Sequence, residues 1–380
     1  MHRLQFHYSL SRQTSPAQVR NPLIDLLQAV SSHGSISAAA RALGLSYRHV
    51  WGELKRWEQE LGNALLVWEK GQSARLTEFG AKLMWAEAQA QARLAPQIEA
   101  LRSELERAFA VAFDPQAHVV MLYASHDHAL GALREFALAS DALASAHARL
   151  HLDVRFSGSV DAIRALNEGR CVMAGFHTLQ NPEPGSVAEK IYKPLLKPGL
   201  HKIIGFASRT QGLMVAAGNP LQLRTLHDVQ RTSARFVNRA LGSGTRVVLD
   251  ELLLQSGLAP AQFPGYAHNE PSHSAVAHAI AAGVADVGLG IEVAARAQGL
   301  DFVPLLQESY HLVCLKSALA DPAIMALMAL LTSPAWQQCL AQLPGYRAWH
   351  SGEVQSLRRV LPWWDFARKR GGKPAPGPKP

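Results

Sequence analysis

The sequence predicts an α/β protein with a small helical domain at its N-terminus, then a long helix, then a larger domain of alternating strands and helices. Three observations support this fold class. Apolar residues before about residue 110 recur at steps of three and four, the period of amphipathic helices. From about residue 117, short apolar strands alternate with helical segments. At 380 residues the chain is also too long for one ordinary domain.

Three helices are predicted near the N-terminus. The first follows Pro22, because proline suits a first helical position. Ser35 is placed to cap a second, alanine-rich helix, which Gly44 ends. Ser46 is placed to cap a third, longer helix, with Gly62 just beyond its end. A tight turn joins the second and third helices, so the pair has the form of a helix-turn-helix.

The third helix has an apolar stripe and a polar, basic leading end. Its stripe, with steps of four, three and four, is Val50, Leu54, Trp57 and Leu61. A recognition helix meets base edges and phosphates with its leading end, so side chains there and in the hairpin that follows are candidates for DNA contact. These candidates are Ser35, Ser46, Tyr47, Arg48, His49, Gly52, Lys55, Arg56, Lys70 and Arg75.

An apolar run, a glycine-containing polar turn and a second short strand follow over 64–76, which is typical of a β-hairpin. Lys70 and Arg75 lie near its predicted tip, where basic side chains meet phosphates. Helix pairs joined by a glycine are common in any protein, so the pair alone is weak evidence. Three helices, their caps and the hairpin in this order predict a winged helix-turn-helix over 20–80 with double-stranded DNA as partner.

A long linker helix is predicted over 77–110, with Thr77 as its cap. Apolar residues from 79 to 109 step by three or four along eight turns, as in a coiled-coil seam. Pairing of two copies is the natural use of such a seam, although packing on the same chain would also bury it. Pro96 lies inside the pattern and predicts a kink or break.

The segment 117–350 is predicted to form a parallel sheet flanked by helices. Its strand over 150–156 alternates apolar and polar residues, which predicts one exposed face. Ligand sites of such sheets lie at strand carboxyl ends, where loops lead into helix N-termini that favour anions. Four such loops supply the candidate ligands of a small anion: Ser125, His126, Ser159, Asn238, Arg239, Ser243, Gly244, Thr245, Arg246, Ser272 and His273.

Two arginines border the Gly-Ser-Gly-Thr loop 242–245. Arg246 is the first candidate for the positive charge that faces the anion, and Arg239 is the competing one. The loop has neither the Gly-Lys-Ser/Thr ending of a nucleotide-binding P-loop nor the full Gly-x-Gly-x-x-Gly pattern. An ordinary capped turn would use the same residues.

The sequence disfavours three classes of protein: metalloproteins, proteins with a covalent cofactor and membrane proteins. The 17 histidines show no zinc spacing such as His-Glu-x-x-His. The three cysteines are far apart, which is typical of reduced thiols in a cytoplasmic protein. Neither a secretory signal nor an apolar run of membrane-spanning length is present. The formal charge of +8 is concentrated in the N-terminal segment and in 368–380, a basic end that is expected to be disordered.

The N-terminal part resembles that of LysR-type regulators and, more specifically, of the molybdate-responsive ModE family. The likeness rests on 34–40, on the Ser-Tyr-basic-x-x-Trp opening at 46–51, and on 75–80. It covers about 20–110. The resemblance implies a dimer with winged helices at both ends of a paired linker helix.

The segment 117–350 resembles the periplasmic-binding-protein-like domain of molybdenum-linked regulators and molybdopterin-biosynthesis fusions. The likeness rests on 235–246, 265–266, 274–277 and 283–290. It implies a type II two-lobed fold, with lobe I at about 117–205 plus 302–350 and lobe II between. The well-known ModE family carries small molybdate-binding modules here instead, so a molybdate ligand does not transfer with the likeness.

Together these features predict a one-component transcriptional regulator, a homodimer or tetramer, whose C-terminal lobes close on a small anion. Family association makes molybdate or tungstate the first expectation, with molybdoenzyme or molybdenum-cofactor genes as targets. A small carboxylate such as formate is the second. The alternative is an enzyme of molybdopterin biosynthesis or a ligand carrier, for which the sequence offers no clear nucleophile–base pair.

Overall fold

The computed structural model describes residues 22–67, 74–113, 117–139 and 150–364. Two predicted features lie outside the described residues. These are the tip of the hairpin, which contains Lys70, and the basic segment 368–380.

The N-terminal domain is a three-helix unit with a short hairpin. Its helices are α1 (Pro22–His33), α2 (Ile36–Ala42) and α3 (Tyr47–Leu61), and its strands are β1 (Leu66–Val67) and β2 (Arg75–Leu76). The two strands pair antiparallel, as the hairpin pattern predicts. Val50 and Leu54 on α3 are fully buried against α1 and α2, while Trp57 and Leu61 pack at the edge of this core.

Side chains and glycine set the helix boundaries in this domain. Ser35 accepts a hydrogen bond from the Ala38 backbone N–H at 3.1 Å, and Ser46 accepts one from His49 at 3.2 Å. Gly44 and Gly62 adopt positive φ angles of 67° and 68° directly after α2 and α3, a conformation that favours glycine. The sequence therefore predicts these ends correctly, because caps depend only on local chemistry.

The linker helix α4 (Glu78–Phe113) is a single helix of 36 residues. Thr77 caps it by accepting a hydrogen bond from the Gly80 N–H at 3.0 Å. Pro96 does not break the helix, so that part of the expectation is wrong. The side chain of Pro96 is buried, and the contacts of α4 with the second domain continue on both sides of it.

The second domain contains ten strands and ten helices among the residues that the structure describes. The strands are β3 (His118–Ala124), β4 (Leu150–Phe156), β5 (Met173–Leu179), β6 (His201–Val215), β7 (Phe236–Arg239), β8 (Asn269–Glu270), β9 (Val287–Ile291), β10 (Asp301–Leu315), β11 (Tyr346–Ala348) and β12 (Val354–Ser356). The helices are α5 (His128–Ala139), α6 (Ser159–Asn167), α7 (Val187–Tyr192), α8 (Leu226–Thr232), α9 (Gly244–Gln255), α10 (His273–Ala281), α11 (Glu292–Ala297), α12 (Pro322–Thr332), α13 (Pro334–Ala341) and α14 (Leu357–Val360).

These strands form two lobes joined by two long strands. The sheet order is β4-β3-β5-β10-β6-β9-β7-β8, and β11 and β12 also pair with β6. The outer pairs within each lobe are parallel, but β10 and β6 pair antiparallel with each other and with their neighbours. The sheet is therefore mixed, and the expectation of a parallel sheet is wrong. The alternating pattern missed β6 and β10, which are 15 residues long and cross both lobes.

The expected exposed face of β4 is also absent. His151 and Asp153 are 3% and 0% exposed, because α4 covers this strand. Ser103 of α4 donates to the Leu152 carbonyl oxygen and accepts from the Val154 N–H, both at 3.0 Å. Arg107 lies 2.9 Å from the Asp153 carboxylate. The polar residues of β4 thus face a helix instead of solvent.

Within the described part of the chain, no single helix is long and apolar enough to span a membrane. The pair α12 and α13 meets that criterion only jointly, across a bend of 62°.

Gly80 allows α4 to approach the hairpin. A Cβ at this position would lie 2.5 Å from the Leu65 carbonyl oxygen, whereas a Cβ on Gly52 of α3 would meet nothing within 4 Å. Alanine gains about 1 kcal/mol over glycine inside a helix. We expect Gly52→Ala to raise the free energy of unfolding by about 0.5–1 kcal/mol. Gly80→Ala should lower it by about 1–3 kcal/mol. Urea denaturation of both variants checks this pair, and an equal gain in both would contradict the packing.

Candidate functional site

The leading end of α3 is the candidate DNA-binding surface. Tyr47, Arg48 and His49 are exposed, and Tyr47 is 51% accessible although it is aromatic. Gly52 is also exposed and leaves this face of the helix without a side chain. Arg75 is exposed on β2, beside the undescribed hairpin tip. A polar and basic surface of this shape suits the major groove and the adjacent phosphates.

Two other predicted DNA-contacting residues are partly engaged within α3. Lys55 forms an ion pair of 2.7 Å with Glu58, and Arg56 forms one with Glu53. Glu58 also accepts from the Leu65 N–H at 2.8 Å, which ties the hairpin to the helix. Burial acts to raise the pKa of Glu58, but Lys55 and the two backbone donors outweigh it and lower that pKa. Ser35 and Ser46 serve as helix caps.

The four loops predicted as an anion site meet in the second domain, and all eleven predicted ligand residues are buried. Ser125 Oγ lies 3.3 Å from Ser159 Oγ, which joins the loops after β3 and β4. Thr245 Oγ1 lies 3.3 Å from His273 Nε2, which joins the loops that begin α9 and α10. The structure thus places residues from both lobes around one buried polar cleft.

Glycines let the two lobes touch at this cleft. A Cβ on Gly158 would lie 2.8 Å from the Gly242 carbonyl oxygen, and a Cβ on Gly244 would lie 2.3 Å from the His177 ring. The Val160 N–H donates to the same Gly242 oxygen at 3.4 Å. A cavity of about 10 Å³ beside His177 has room for one water. The lobes are closed on each other in this conformation.

A buried ion-pair network forms the floor of the cleft. Arg209 of β6 donates to both the Asp127 and the Glu308 carboxylates. Tyr346 also donates to Asp127, at 2.7 Å, and Gln211 donates to Glu308 at 2.7 Å. Burial alone would lower the pKa of Arg209, but the two carboxylates outweigh it and raise that pKa well above its usual value. Arg209 is therefore a fully matched buried cation.

Arg239, at the end of β7, is buried without such a match. It is 3% exposed, and its Nε and Nη1 atoms find no acceptor among the residues that the structure describes. Burial, together with the positive charge of Arg209, lowers the pKa of Arg239 to about 9. A buried cation without a partner is costly, so this guanidinium is suited to an anionic ligand. The Asn238 side chain accepts from the Arg239 backbone N–H at 3.0 Å and helps to position it.

Three of the predicted ligand residues have partners away from the cleft. Arg246 donates to Asp250 and to Asn269, both at 3.2 Å, and stacks 4.0 Å from the ring centre of Tyr266. His126 lies 3.5 Å from Glu99 of the linker helix. Ser272 donates to the Ala92 carbonyl oxygen of the same helix at 3.2 Å. Of the two competing arginines, Arg239 is therefore the one with free donors in the cleft.

Several cleft residues were not predicted from the sequence. They lie inside strands: His177, Arg209, Gln211, Glu308 and Tyr310. An ionisable residue inside an apolar run, such as Arg209 or Glu308, is the signal that could have found them. Across the described ranges, no three His, Cys, Asp or Glu side chains are grouped as a metal site.

The sequence matches known families in both domains. Residues 140–332, just over half of the chain, match the family described as a PBP superfamily domain. The chain belongs to the PBP superfamily. Residues 23–81 match the bacterial regulatory helix-turn-helix proteins of the lysR family. The protein thus joins a helix-turn-helix domain that matches the lysR family to a PBP-superfamily domain, which is the domain combination of a DNA-binding transcriptional regulator.

Three relatives match parts of this regulator. The uncharacterised protein YvgK of Bacillus subtilis is 32% identical over 200 residues, which are 53% of the regulator and 64% of YvgK. An uncharacterised protein from a ferredoxin gene region of Clostridium pasteurianum is 33% identical over 109 residues, 28% of the regulator and 96% of that protein. The molybdenum-pterin-binding protein MopA of Rhodobacter capsulatus is 41% identical over 80 residues, 20% of the regulator and 30% of MopA. The regulator therefore spans less than two thirds of YvgK and of MopA.

Solved structures resemble the regulator over most of its length. The OxyR C206 mutant of Corynebacterium glutamicum has a TM-score of 0.42 at 15% identity, over 84% of the regulator and 93% of that chain. ArgP of Mycobacterium tuberculosis has a TM-score of 0.38 at 21% identity, over 82% and 96%. These scores are low, so the family assignment rests on the sequence matches.

Three buried histidines make stability depend on pH. Burial lowers the pKa of His311 to about 3, and burial with the charges of Arg209 and Arg239 lowers those of His177 and His273 well below the usual range. Unfolded histidines take up protons below about pH 6.5, while these folded ones stay neutral. The free energy of unfolding should therefore fall with pH below 6.5, by up to about 1.4 kcal/mol per pH unit for each histidine.

Denaturation between pH 7.5 and 5.5 measures this dependence. His311→Gln should make the slope shallower, whereas the same change at the exposed His227 should leave it unaltered. Unchanged or greater stability of the wild type at pH 5.5 would show that the three histidines take up protons in the folded state.

Proposed function

We propose that this regulator controls transcription in response to a small anion bound between its lobes at Arg239. The single observation that carries this proposal is the buried Arg239 guanidinium, whose Nε and Nη1 lack acceptors within the described part of the chain. Arg209 holds the two buried carboxylates in direct ion pairs. Their charges raise the pKa of Arg239 only in part, and burial and the charge of Arg209 outweigh them. An oxyanion would supply the missing acceptors.

The surroundings of Arg239 favour a small oxyanion over a larger ligand. The loops before α9 and α10 bring two helix N-termini to the cleft, and their backbone N–H groups favour negative charge. His177 and His273 are buried beside it and can donate hydrogen bonds even when neutral. The close approach of the lobes at Gly242 and Gly244 suits a tetrahedral oxyanion or a small carboxylate better than a bulky ligand.

Molybdate or tungstate is our first candidate, and formate or another small carboxylate is the second. The support for the first is the 41% identity with part of MopA, a molybdenum-pterin-binding protein. Genes for molybdoenzymes or for their cofactor are then the proposed targets. The second candidate rests on the chemistry of the cleft, since a carboxylate offers the same paired acceptors to a guanidinium.

The DNA-binding end of the proposal depends on Arg48, which is exposed in the first turn of α3. Removing a side chain that contacts a base or a phosphate costs roughly 1–3 kcal/mol. We expect Arg48→Ala to weaken binding to the DNA upstream of the regulator's own gene by that amount. Arg231→Ala, on the surface of α8, is the control and should leave binding unchanged. Equal binding by both variants in a mobility-shift assay would refute this placement of α3.

Pairing of two copies through α4 is the proposed assembly. One side of the helix exposes apolar side chains, with Leu101 58% and Phe113 83% accessible, together with Leu94, Leu105 and Phe109. We expect Leu101→Glu to shift the protein from dimer to monomer in sedimentation equilibrium, because a charge would be buried in the seam. Leu254→Glu is the matched control, since Leu254 on α9 is also 58% exposed. A monomeric wild type, or a dimeric Leu101→Glu variant, would rule out this seam.

Substitutions of Arg239 and Arg246 distinguish an arginine that binds the anion from one that only supports the fold. Deleting a charge-assisted hydrogen bond of about 1.5–3 kcal/mol should weaken anion binding by roughly tenfold to a hundredfold or more. We expect this loss for Arg239→Ala and a much smaller one for Arg246→Ala. Calorimetric titration with molybdate, tungstate and formate measures the affinities. Loss of affinity only in Arg246→Ala, or in neither variant, would place the anion elsewhere.

A further inference from the structure

The linker helix contacts both lobes, and its proline separates the two sets of contacts. On the side of lobe II, the Trp85 carbonyl oxygen lies 3.4 Å from His278, and Arg93 binds Glu270. On the side of lobe I, Ser103 bonds to the backbone of β4. Pro96 lies between these two segments of α4.

Pro96 leaves a gap in the hydrogen bonding of α4. Proline has no N–H, so the carbonyl oxygen four residues before it, on Ala92, lacks its regular helical donor. The Ser272 hydroxyl donates to this Ala92 oxygen at 3.2 Å. The same hydroxyl accepts from the Ala275 N–H at 3.0 Å as the N-cap of α10. A serine of the cleft loop thus replaces the missing donor of the linker helix.

A second contact fixes the same loop to α4. Two nitrogens of the Arg93 guanidinium donate to Glu270, with Nε 2.9 Å from Oε2 and Nη2 2.6 Å from Oε1. Glu270 is 1% exposed, so breaking this pair would leave a buried carboxylate without its cation. The two contacts come from residues 270 and 272, on the two sides of Pro271.

Both ends of loop 270–273 also contact residues of the cleft. His273, next to Ser272, lies 3.3 Å from Thr245. Glu270 is the register partner of Arg239 across β7 and β8, and its carbonyl oxygen accepts from the Ala240 N–H at 3.2 Å. A displacement of Arg239 or His273 on anion binding would therefore reach α4 within two residues.

We propose that loop 270–273 completes the linker helix at Pro96 and thereby couples the anion cleft to the helix that carries the DNA-binding domain. The anion-dependent part of this inference rests on the function proposed above. The structural part does not, because it rests only on the Ser272–Ala92 bond and the Arg93–Glu270 pair.

A ligand-free double-mutant cycle tests the structural part on the full chain. We expect Ser272→Ala to speed amide hydrogen exchange in the α4 peptides around Pro96 by roughly fivefold to tenfold, because the Ala92 oxygen loses its donor. Pro96→Ala restores an N–H to that oxygen, so Ser272→Ala should have no further effect on α4 in the Pro96→Ala background. Ser333→Ala is the control, because Ser333 caps α13 in the same way without touching α4.

The cycle has outcomes that overturn the proposal. If Ser272→Ala changes exchange only in α10, the serine is a helix cap alone. If its effect on α4 persists in the Pro96→Ala background, the missing donor is not what Ser272 supplies. An equal effect of Ser333→Ala on α4 would reduce the result to general destabilisation.

The coupling between the cleft and α4 is tested by measuring operator affinity with and without millimolar sodium molybdate, tungstate or formate. Allosteric coupling typically changes affinity by about 5–150-fold. We expect Pro96→Ala to bring the ratio of the two operator affinities several-fold closer to one. An equal ratio in wild type and Pro96→Ala would overturn the coupling. A wild type that binds its operator but responds to none of the three anions would instead refute the proposed effector, and the exchange cycle would still decide the structural inference.

Discussion

The second domain depends on how Arg209 is neutralised. This arginine lies on β6, a strand that crosses both lobes, and it binds Asp127 from lobe I and Glu308 of β10 at the same time. A buried cation is tolerated only when it is paired and hydrogen-bonded, so the position of these two carboxylates is fixed. Once both are committed to Arg209, the neighbouring Arg239 is left without a carboxylate. The charge of Arg239, on which the proposed anion site rests, is a consequence of this pairing.

The same cleft contacts the linker helix that follows the DNA-binding domain. The linker helix α4 covers β4 of lobe I and contacts the loop before α10 in lobe II. Residues of the cleft loops, His126 and Ser272, therefore have partners on this helix. A change in the relative position of the lobes must move these partners, break their contacts or bend the helix. The side of α4 that bears Leu101 and Phe113 remains exposed and available to a second copy.

The sequence predicts those parts that depend on local chemistry. The caps Ser35, Ser46 and Thr77 all accept from the backbone at the helix starts that the sequence predicts. The convergence of the four loops also follows from the pattern, because they all begin helices at strand ends. These features need no knowledge of distant contacts.

Features that depend on contacts between distant residues could not be predicted from the local sequence. Nothing local in β6 indicates that Arg209 would meet a residue 82 positions away, so its role was missed. The alternation of apolar and polar residues in β4 predicts one exposed face, because the sequence does not show that Ser103 and Arg107 of α4 pack on that face. The sequence predicts a kink or break at Pro96, because the compensating donor, Ser272, lies 180 residues after Ala92, whose oxygen it binds. The sequence ranks Arg246 ahead of Arg239, because nothing local indicates that Asp250, Asn269 and Tyr266 engage the Arg246 guanidinium.

The central claim is that an anion binds between the lobes at Arg239. A crystal structure of the full chain grown with tungstate tests it most directly, because tungsten is located without ambiguity by its anomalous scattering. The account predicts one strong anomalous peak within hydrogen-bonding reach of the Arg239 guanidinium, beside His177 and His273. A peak at Arg246 or on the surface, with the Arg239 donors bound to protein acceptors instead, would contradict it.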